Sequence, residues 1–538
     1  MEKLLLLGDE AFAQGAIDAG VSGAYGYPGT PSTEIILYFQ KNAEAIKKDI
    51  HRMWSSNEKT AMETALGMSY AGKRAVVTMK HVGLNVAADG YVNSALTGAN
   101  GGLLVVAADD PSMHSSQGEQ DSRFYAKFAS LPCLEPSNQQ EAYDMAFYGF
   151  EFSEKYELPI MVRFVTRLSH SRAGVTRKQS IPENGLNLPK EDMRFILLPG
   201  VARKRYKLLI EKQDSLIAAS ENSPFNTYKD GKNKSMGIIA CGLAYNYLME
   251  NFDDDCPFPV LKLCQYPMPK KHIQRMFNEC ESVLVIEDGQ PFVEEQLRGY
   301  LDNGKLIKGR LDGTLPRDGE LNPNHVAKAL GIIEKEGLKV PSNIVPRPPA
   351  LCLGCPHIDS YNALNVIISK YGKGHVFSDI GCYTLGALPP YNAIDSCVDM
   401  GAAITMAKGA ADAGLFPSIA VIGDSTFTHS GITGLLDCVN ENTNVVIIIL
   451  DNETTAMTGG QDSSGKGKLE DICKGIGVDP EHIRICVPLK KNHDELVQIY
   501  QDEIDYKGVS VIIPRRECIQ TLTRKNKNLL TPKSASVK

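Results

Sequence analysis

The sequence predicts an α/β protein in which two doubly wound parallel-sheet domains flank a smaller α/β domain. Apolar runs without alternation, such as Val445 to Leu450, are typical of strands that are covered on both faces. Helical periodicity follows such runs, for example through Leu435, Leu436 and Val439 after the apolar run Ile419 to Ile422. Polar residues stand directly at the strand ends, where ligands gather in open parallel sheets. These three observations point to a ligand-binding α/β protein.

Length and composition indicate a globular protein of three or four domains. The chain has 538 residues, of which 43% are hydrophobic and 22% charged. Its longest apolar run is too short to span a membrane, and the N-terminal segment MEKLLLLGDEAFAQG predicts strand, turn and helix rather than a signal peptide. A net charge of −7 argues against a nucleic-acid surface. We therefore expect a cytoplasmic protein.

The thirteen cysteines are numerous for a cytoplasmic protein. Their odd number and wide spacing do not suggest a disulfide framework. Free thiols and metal ligands are the expectation.

Strand and helix signals divide the chain into three α/β segments. Residues 1–190 contain the predicted strands KLLLLG, GAYGYPG, AVVTMKH, GLLVVAADD and LPIMVRFV. After a polar connection, residues 235–340 begin with MGIIACGLAYNYL, and a proline-rich linker follows at 340–349. Residues 350–520 form the third segment, and 521–538 are predicted to be a polar tail without regular structure.

Two strand ends of the third segment carry oxygen ligands. Gly423, Asp424 and Ser425 follow one predicted strand, and Asn452 follows the next. Carboxylate and amide oxygens suit Mg²⁺, which completes its octahedron with phosphate oxygens and water, and the helix after Ser425 would receive the phosphates. Gly-Asp-Ser before a helix is also an ordinary N-cap, so both interpretations stay open at this point.

The spacing of these residues resembles a known signature. GDS, followed about thirty residues later by an apolar strand and DN, resembles the metal and diphosphate site of thiamine diphosphate enzymes. The segments DNETTAMTGGQ, YPGTPSTEI, NEKTAMETALGMSYAGKRAVVTMKHVGLN, CLGCPH and DIGCYTLG resemble one family, the large (alpha) subunits of indolepyruvate ferredoxin oxidoreductases. The resemblance spans roughly residues 3–520. It implies the thiamine diphosphate-binding fold.

The resemblance implies a role for each segment. Residues 1–190 become the pyrimidine-binding domain, 235–340 a transketolase C-terminal-like domain and 350–520 the diphosphate-binding domain. It implies Asp424, Asn452 and Thr454 as magnesium ligands, with further cofactor contacts from Gly423, Ser425 and Gly459. Large subunits of this family usually continue into a ferredoxin-like domain with two C-x₂-C-x₂-C-x₃-C runs, and these runs are absent from this sequence.

Thiamine enzymes need a carboxylic acid against the pyrimidine ring, and two glutamates qualify. Glu58 and Glu63 both lie in the predicted helix of WSSNEKTAMETALGMSYAGKRAVV, with Glu58 in its first turn. A carboxylate buried there would have a raised pKa and could share a proton with a ring nitrogen, whereas a glutamate in a first turn is commonly solvated. The family motif aligns Glu58 with the activating glutamate.

The carboxylate of a 2-oxoacid needs hydrogen-bond donors or cations. The resemblance places Thr30, in the turn YPGTPST, at the substrate carboxylate. Lys80 and His81 follow a predicted strand, and Arg123 and Lys127 lie in a predicted loop, with Lys127 aligning most nearly with a substrate-binding arginine of pyruvate-using relatives. We expect Thr30, His81 and Lys127 to take part, although solvated cations and a core histidine would show the same pattern.

Four cysteines of the third segment could hold an iron–sulfur cluster. Cys352 and Cys355 have C-x₂-C spacing, and Cys382 and Cys518 follow predicted strands. The four positions resemble the ligands of the family's proximal [4Fe–4S] cluster, which needs four thiolates. Cys397 is the only substitute nearby.

The predicted activity is oxidative decarboxylation of an aryl 2-oxoacid of the indolepyruvate type to its acyl-CoA. Electrons would pass through the cluster to ferredoxin or a similar carrier, and the family implies a smaller (beta) partner subunit. A non-oxidative thiamine diphosphate-dependent decarboxylase or carboligase, which needs no iron, is the alternative. A scaffold without catalytic activity is a third possibility, against which Glu58, Asp424 and Asn452 count.

Overall fold

The computed structural model describes residues 2–189, 193–252, 255–299, 304–345 and 349–530 of the chain, with side chains up to residue 526. The chain forms two compact units, residues 1–338 and 339–538. Each unit is built around parallel sheets, so the predicted α/β class is confirmed. The boundary predicted at residue 190 and the tail residues 531–538 lie outside the described residues.

The first unit contains fourteen strands in its described part. They are β1 (Lys3–Leu7), β2 (Gly23–Gly26), β3 (His51–Trp54), β4 (Ala75–Lys80), β5 (Leu103–Asp109), β6 (Cys133–Leu134), β7 (Ile160–Val165), β8 (Arg172–Thr176), β9 (Thr227–Lys229), β10 (Met236–Cys241), β11 (Val260–Leu263), β12 (Gln265–Tyr266), β13 (Ser282–Ile286) and β14 (Leu306–Lys308).

The helices of the first unit connect these strands. They are α1 (Gly8–Asp18), α2 (Thr33–Lys41), α3 (Ala43–Lys47), α4 (Glu58–Tyr70), α5 (His81–Thr97), α6 (Arg123–Ala129), α7 (Gln139–Tyr156), α8 (Thr166–His170), α9 (Pro199–Glu221), α10 (Ala244–Met249), α11 (Lys270–Glu279), α12 (Phe292–Arg298) and α13 (Pro323–Leu330).

Two main sheets organise this unit. The seven-stranded sheet has the order β12-β6-β7-β5-β4-β2-β3 and is parallel apart from β12, and the five-stranded sheet has the order β14-β13-β10-β11-β9 and is parallel apart from β9. Strand β1 forms where predicted, but it pairs antiparallel with β8 instead of joining the parallel sheet. Every residue of β4, β5 and β7 is buried, as expected for apolar runs covered on both faces.

A buried network of ion pairs lies in this unit. The guanidinium of Arg123 is within 3.0 Å of Glu287, and that of Arg163 is 2.6 Å from Asp109. Both arginine side chains are inaccessible to solvent. Arg163 also donates to the main-chain carbonyl of Asp288, just after β13, so the network joins the two sheets. Removing one partner would leave a buried charge uncompensated, which is strongly destabilising.

The second unit contains one six-stranded, fully parallel sheet in the order β16-β15-β17-β18-β22-β21. Its strands are β15 (Val376–Ser378), β16 (Ser396–Cys397), β17 (Ile419–Gly423), β18 (Val445–Leu450), β19 (Thr454–Thr455), β20 (Gln461–Asp462), β21 (Ile483–Cys486) and β22 (Val509–Pro514), of which β19 and β20 form a separate hairpin. Its helices are α14 (Pro356–Ile368), α15 (Ala402–Asp412), α16 (Asp424–Thr426), α17 (Ile432–Asn440), α18 (Leu469–Ile476), α19 (His493–Asp505) and α20 (Ile519–Leu530).

Alternate residues of β18 enter the cores on opposite faces of this sheet. Ile447 and Ile449 belong to one core, whereas Val446, Ile448 and Leu450 belong to the other. The prediction of a strand covered on both faces, made from this unbroken apolar run, is therefore confirmed. Helix α20 covers residues 519–530, so the expectation of a tail without regular structure is wrong for residues 521–530.

Candidate active site

Asp424 and Asn452 lie at the same edge of the six-stranded sheet. Strands β17 and β18 are parallel neighbours, with Gly423 opposite Leu450, and each strand ends directly before the loop that carries the polar side chain. A helical segment begins at Asp424 and continues, through a π-helical turn at Phe427–Gly431, into α17. The two side chains that the sequence predicted as metal ligands are thus carried by adjacent loops.

Asp424 is a buried carboxylate with an unused oxygen. The residue is only 2% exposed, and its Oδ2 has no hydrogen-bond partner among the described residues. Burial raises the pKa of Asp424 to about 7, and the neighbouring charge of Asp451 contributes to this rise. Buried polar atoms almost always have partners, so an orphaned carboxylate oxygen fits a bound cation.

Asn452 connects the strand end to a helix from another part of the unit. Its Oδ1 accepts from the backbone N–H of Thr454 (3.1 Å), and its Nδ2 lies 3.3 Å from Nε2 of His357 on α14. Burial lowers the pKa of His357 to about 4, so the ring is neutral and Nε2 can accept this hydrogen bond. The amide of Asn452 is held in one orientation by these contacts.

Glycine is required at the start of this site. A Cβ at Gly423 would collide with the ring of Tyr383, which lies against the end of β17. Gly459 adopts a φ of +124°, which favours glycine, in the loop between β19 and β20. Around the same loops, Ser425 Oγ lies 2.9 Å from Thr455 Oγ1, and Thr454 Oγ1 donates to the carbonyl of Gln461 (2.8 Å). Gly423, Ser425 and Thr454 are therefore grouped around Asp424 and Asn452.

Four cysteine thiols come together in this unit. Cys352 and Cys355 precede α14, Cys382 follows β15 and Cys518 follows β22. Burial raises the pKa of Cys382 to about 12, with smaller contributions from the thiolates of Cys355, Cys518 and Cys352. Burial likewise raises the pKa of Cys355 to about 11, and Cys352 and Cys518 contribute to this rise. Cys352 and Cys518 therefore both lie near Cys355 and Cys382.

Cys397 stands apart from this group. It is exposed at the end of β16, and its Sγ lies 3.7 Å from the carbonyl of Asp379. Burial raises the pKa of its thiol, which interacts with Thr384 and Asp379 rather than with the four cysteines. All thirteen cysteines are free. In the described part of the chain, no three His, Cys, Asp or Glu residues are arranged to hold a single metal ion.

The cysteine group and the Asn452 loop are tied together by backbone hydrogen bonds. Beyond β22, the N–H of Arg516 donates to the carbonyl of Asp451 (3.0 Å), and the N–H of Cys518 donates to that of Asn452 (3.2 Å). The guanidinium of Arg516 also donates to the carbonyl of Gly354 (2.6 Å). Gly354 lies between Cys352 and Cys355 in the sequence. Arg516 therefore holds the C-x₂-C loop against the segment that carries Cys518.

The first unit carries the two glutamates. Glu58 is the first residue of α4, which Asn57 caps by accepting from the N–H of Thr60 (2.8 Å), and it is only 6% exposed. A Cβ at Gly83 on α5 would collide with its carboxyl group. The side chain of Glu63, by contrast, is 49% exposed and forms an ion pair with Lys59. Of the two candidates, Glu58 has the buried position.

Thr30 and His81 lie at the carboxyl edge of the seven-stranded sheet. Thr30 is in the turn between β2 and α2, and its carbonyl accepts from Ser115 Oγ at 3.4 Å. His81 is the first residue of α5, and its buried Nε2 lies 3.1 Å from the carbonyl of Gly118. Its Nδ1 has no hydrogen-bond partner among the described residues.

Lys127 is placed differently from the prediction. Arg123 and Lys127 were expected in a loop, but both lie on the short helix α6. Lys127 is exposed, and its Nζ lies 5.9 Å from the centre of the Phe292 ring. None of its described contacts involves Thr30 or His81, whereas Lys80, which the sequence also offered, lies beside the Thr30 turn.

Two buried side chains of the site were not singled out from the sequence. His357 contacts Asn452, and Asp379, just after β15, accepts from the backbone N–H of Gly401 (3.0 Å) and from the hydroxyl of Tyr383. Burial raises the pKa of Asp379 to about 7. Asp379 repeats the pattern of Asp424, an acid directly after an apolar strand, and this pattern could have identified it.

Two family models match the chain. Residues 14–192 match the thiamine diphosphate-binding domain of the pyruvate flavodoxin/ferredoxin oxidoreductases. Residues 379–513 match the C-terminal thiamine pyrophosphate-binding domain of thiamine pyrophosphate enzymes. The second match contains both strand ends that carry Asp424 and Asn452.

Relatives that align with almost all of this chain agree with these matches. The chain is 41% identical to the indolepyruvate oxidoreductase subunit IorA of Archaeoglobus fulgidus, over 96% of this chain and 86% of that protein. It is 38% identical to the IorA subunit of Pyrococcus abyssi over the same shares. Among solved structures, the 2-oxoglutarate:ferredoxin oxidoreductase of Magnetococcus marinus has a TM-score of 0.50 at 17% identity, covering 61% of this chain and 65% of that one. This last likeness concerns the fold.

Proposed function

This chain belongs to the family of the indolepyruvate oxidoreductase IorA subunits, thiamine diphosphate-dependent oxidoreductases, and on that premise we propose that it oxidatively decarboxylates an aryl 2-oxoacid of the indolepyruvate type. In the overall reaction, the 2-oxoacid and coenzyme A yield an acyl-CoA, CO₂, one proton and two electrons. The buried Asp424 carboxylate, with its orphaned Oδ2 beside the Asn452 loop, is the observation on which the proposal rests.

Asp424, Asn452 and Thr454 are the proposed holders of Mg²⁺. The orphaned Oδ2 of Asp424 and the fixed amide of Asn452 supply oxygens of the hard type that Mg²⁺ prefers. The metal would in turn neutralise the diphosphate of thiamine at the start of the helical segment that follows Gly423, and the first backbone N–H groups of a helix favour an anion there. Ser425 and Gly459 are the further proposed contacts of the cofactor.

Bound thiamine diphosphate supplies the nucleophilic carbon and accepts the electron pair that remains when CO₂ leaves. Glu58 is the proposed acid at the pyrimidine ring, and its buried place at the start of α4 supports this role over Glu63. Thr30, with His81 at the start of α5, is proposed to orient the substrate. Lys127 has the weakest support, because it is exposed on α6.

Cys352, Cys355, Cys382 and Cys518 are the proposed ligands of one [4Fe–4S] cluster. They come from three separate places in the sequence, yet Cys352 and Cys518 both lie near enough to raise the pKa of Cys355 and of Cys382. Four thiolates match the ligand requirement of such a cluster. A cluster is also what the chemistry calls for, since two electrons must leave singly to a one-electron carrier such as ferredoxin.

A smaller beta subunit is the proposed partner, because the related IorA proteins are named as subunits of an oxidoreductase. Coenzyme A is proposed as the acyl acceptor, and it is bound in the solved structure of the 2-oxoglutarate:ferredoxin oxidoreductase. In the described part of the chain, no helix is long and apolar enough to cross a membrane. No observation favours the non-oxidative decarboxylase or carboligase.

The test is turnover of the complex with its beta subunit, prepared without oxygen and supplied with thiamine diphosphate and Mg²⁺. We expect indolepyruvate to reduce ferredoxin or a viologen dye only when coenzyme A is present, with one acyl-CoA for every two electrons. Release of free aldehyde without dye reduction would instead identify a simple decarboxylase. Pyruvate and 2-oxoglutarate serve as comparison substrates.

A further inference from the structure

A buried lysine lies beside the turn that carries Thr30. Lys80 is the last residue of β4 and is only 8% exposed. Strand β4 pairs in parallel with β2, with Thr78 opposite Gly26, so Lys80 reaches the edge of the sheet from which the Thr30 turn departs. A Cβ at Gly29 would lie only 3.1 Å from the Cβ of Lys80. The lysine stem therefore packs directly against this turn.

The ammonium group of Lys80 meets mostly neutral acceptors. Its Nζ lies 2.6 Å from the carbonyl of Ser115 and 3.2 Å from Ser115 Oγ, which itself lies 3.4 Å from the carbonyl of Thr30. The nearest carboxylate oxygen is Asp110 Oδ2, at 4.0 Å. Lys80 and Thr30 are thus linked through one serine.

Asp110 is already engaged by other groups. Its Oδ2 accepts from the N–H of Ser115 (2.8 Å) and the hydroxyl of Ser116 (2.6 Å), and its Oδ1 accepts from the hydroxyl of Thr166 (2.7 Å). Although burial acts to raise the pKa of Asp110, these bonds and the charge of Lys80 together lower it. The carboxylate therefore stays ionised and favours the charged form of Lys80, without forming a close ion pair with it.

The other cations suggested by the sequence are less suitable for binding a small anion. Arg123 is buried and paired with Asp121 and Glu287, so it already has its counter-ions. Lys127 is exposed and lies over the Phe292 ring. Of the three, Lys80 alone combines burial with a place next to Thr30.

We propose that Lys80, together with Thr30, binds the carboxylate of the 2-oxoacid substrate, an inference that rests on the function proposed above. A buried ammonium whose direct hydrogen-bond partners are neutral forms a strong charge-assisted hydrogen bond with an entering carboxylate. The interaction ends when this carboxylate leaves as CO₂. Lys80 therefore selects 2-oxoacids over the aldehydes that share the rest of their structure.

The test offers the complex two compounds, indolepyruvate and indoleacetaldehyde, whose oxidation with coenzyme A would give the same acyl-CoA and two electrons. In Lys80→Met we expect kcat/KM for indolepyruvate to fall about a hundredfold, which is typical when one partner of a buried charge pair is lost. The fall should lie mainly in KM, because the ion pair is made with the bound substrate. For indoleacetaldehyde, kcat/KM should stay within about twofold of the wild-type value.

Lys73→Met is the matched control. Lys73 lies just before β4, at the opposite edge of the same sheet, and its Nζ is 3.1 Å from a carboxylate oxygen of Glu183. Its loss should therefore leave kcat/KM unchanged for both substrates. Lys80→Gln provides a second variant if Lys80→Met fails to fold. An equal loss for both substrates, or no loss for either, would overturn the role of Lys80. If the wild-type complex oxidised neither compound, the proposed function itself would fail.

Discussion

Asp424 keeps a carboxylate buried without a full set of partners, and this arrangement should cost stability until a cation binds. We expect Asp424→Asn to abolish Mg²⁺-dependent binding of thiamine diphosphate in calorimetric titration, because the metal loses its only proposed carboxylate ligand. The cofactor-free variant should be more stable than the cofactor-free wild type, since a buried charge is removed. Asp451→Asn is the control, because Asp451 pairs with Arg515 at 2.6 Å and should affect stability more than metal binding. Unchanged cofactor affinity in Asp424→Asn would remove Asp424 from the metal site.

Glu58 should act on activation of the cofactor rather than on its binding. In Glu58→Gln we expect thiamine diphosphate affinity to stay within about tenfold, while hydrogen–deuterium exchange at the thiazolium C2 slows by orders of magnitude. Quenched-flow exchange followed by NMR measures this rate. Glu63→Gln is a matched control on the same helix, and its exchange should be normal. The reverse pattern would assign the activating role to Glu63.

Lys80 should also leave a signature in stability. Burial lowers its pKa from 10.5 to about 8, so below pH 8 the folded protein holds a charge that the unfolded chain solvates better. We expect Lys80→Met to raise the free energy of unfolding by about 3 kcal/mol below pH 8, with this gain shrinking as the pH rises from 8 to 10.5. Urea denaturation at several pH values measures it. A variant less stable than wild type at pH 7 would contradict this expectation.

At the scale of elements, the sequence predicted the buried strands best. Residues 445–450 form β18 as predicted. An unbroken apolar run of this length is typical of a strand that is covered on both faces. Helix α9 was missed, since only Leu209, Leu216 and Ser220 of its 23 residues are buried and its first half is basic. The short strands β3 and β6 were also missed, because neighbouring strands stabilise them more than their own residues do.

The candidate site was predictable where it depends on local pattern and not where it depends on packing. Polar residues directly after apolar strands identified Asp424 and Asn452. Burial distinguishes Glu58 from Glu63 as the candidate acid. Neighbouring thiolates distinguish the four candidate cluster ligands from Cys397. Both distinctions depend on contacts between residues that are distant in sequence. The contact between His357 and Asn452 spans 95 residues and has no local signal.

The loops that carry the four cysteines should bind iron as a unit. Protein purified without oxygen should be brown and contain about four irons per chain, as expected for one [4Fe–4S] cluster. Cys382→Ser should lose or convert the cluster, while thiamine diphosphate binding remains. The visible spectrum and the low-temperature electron paramagnetic resonance of the reduced protein report this change. Cys397→Ser should keep the wild-type spectrum. A colourless, iron-free wild type prepared with iron supplied would refute the cluster.

At the scale of the whole molecule, the chain is divided into two units by an exposed segment. Residues 333–345, all within the described part of the chain, contain no helix or strand and are almost entirely exposed. Limited trypsin treatment should therefore cut first near Lys339, giving two fragments that match the two units. Mass spectrometry identifies the cut. Early cleavage within either unit would contradict this division.

The ladder of hydrogen bonds that joins Asn452 to Cys518 has a consequence for the speed of electron transfer. Because the two residues are fixed to each other through main-chain atoms, the gap between their side chains cannot widen without breaking the end of the sheet. If the Asn452 loop holds the cofactor and Cys518 a cluster iron, as proposed, these bonds would keep the two groups at one separation from turnover to turnover.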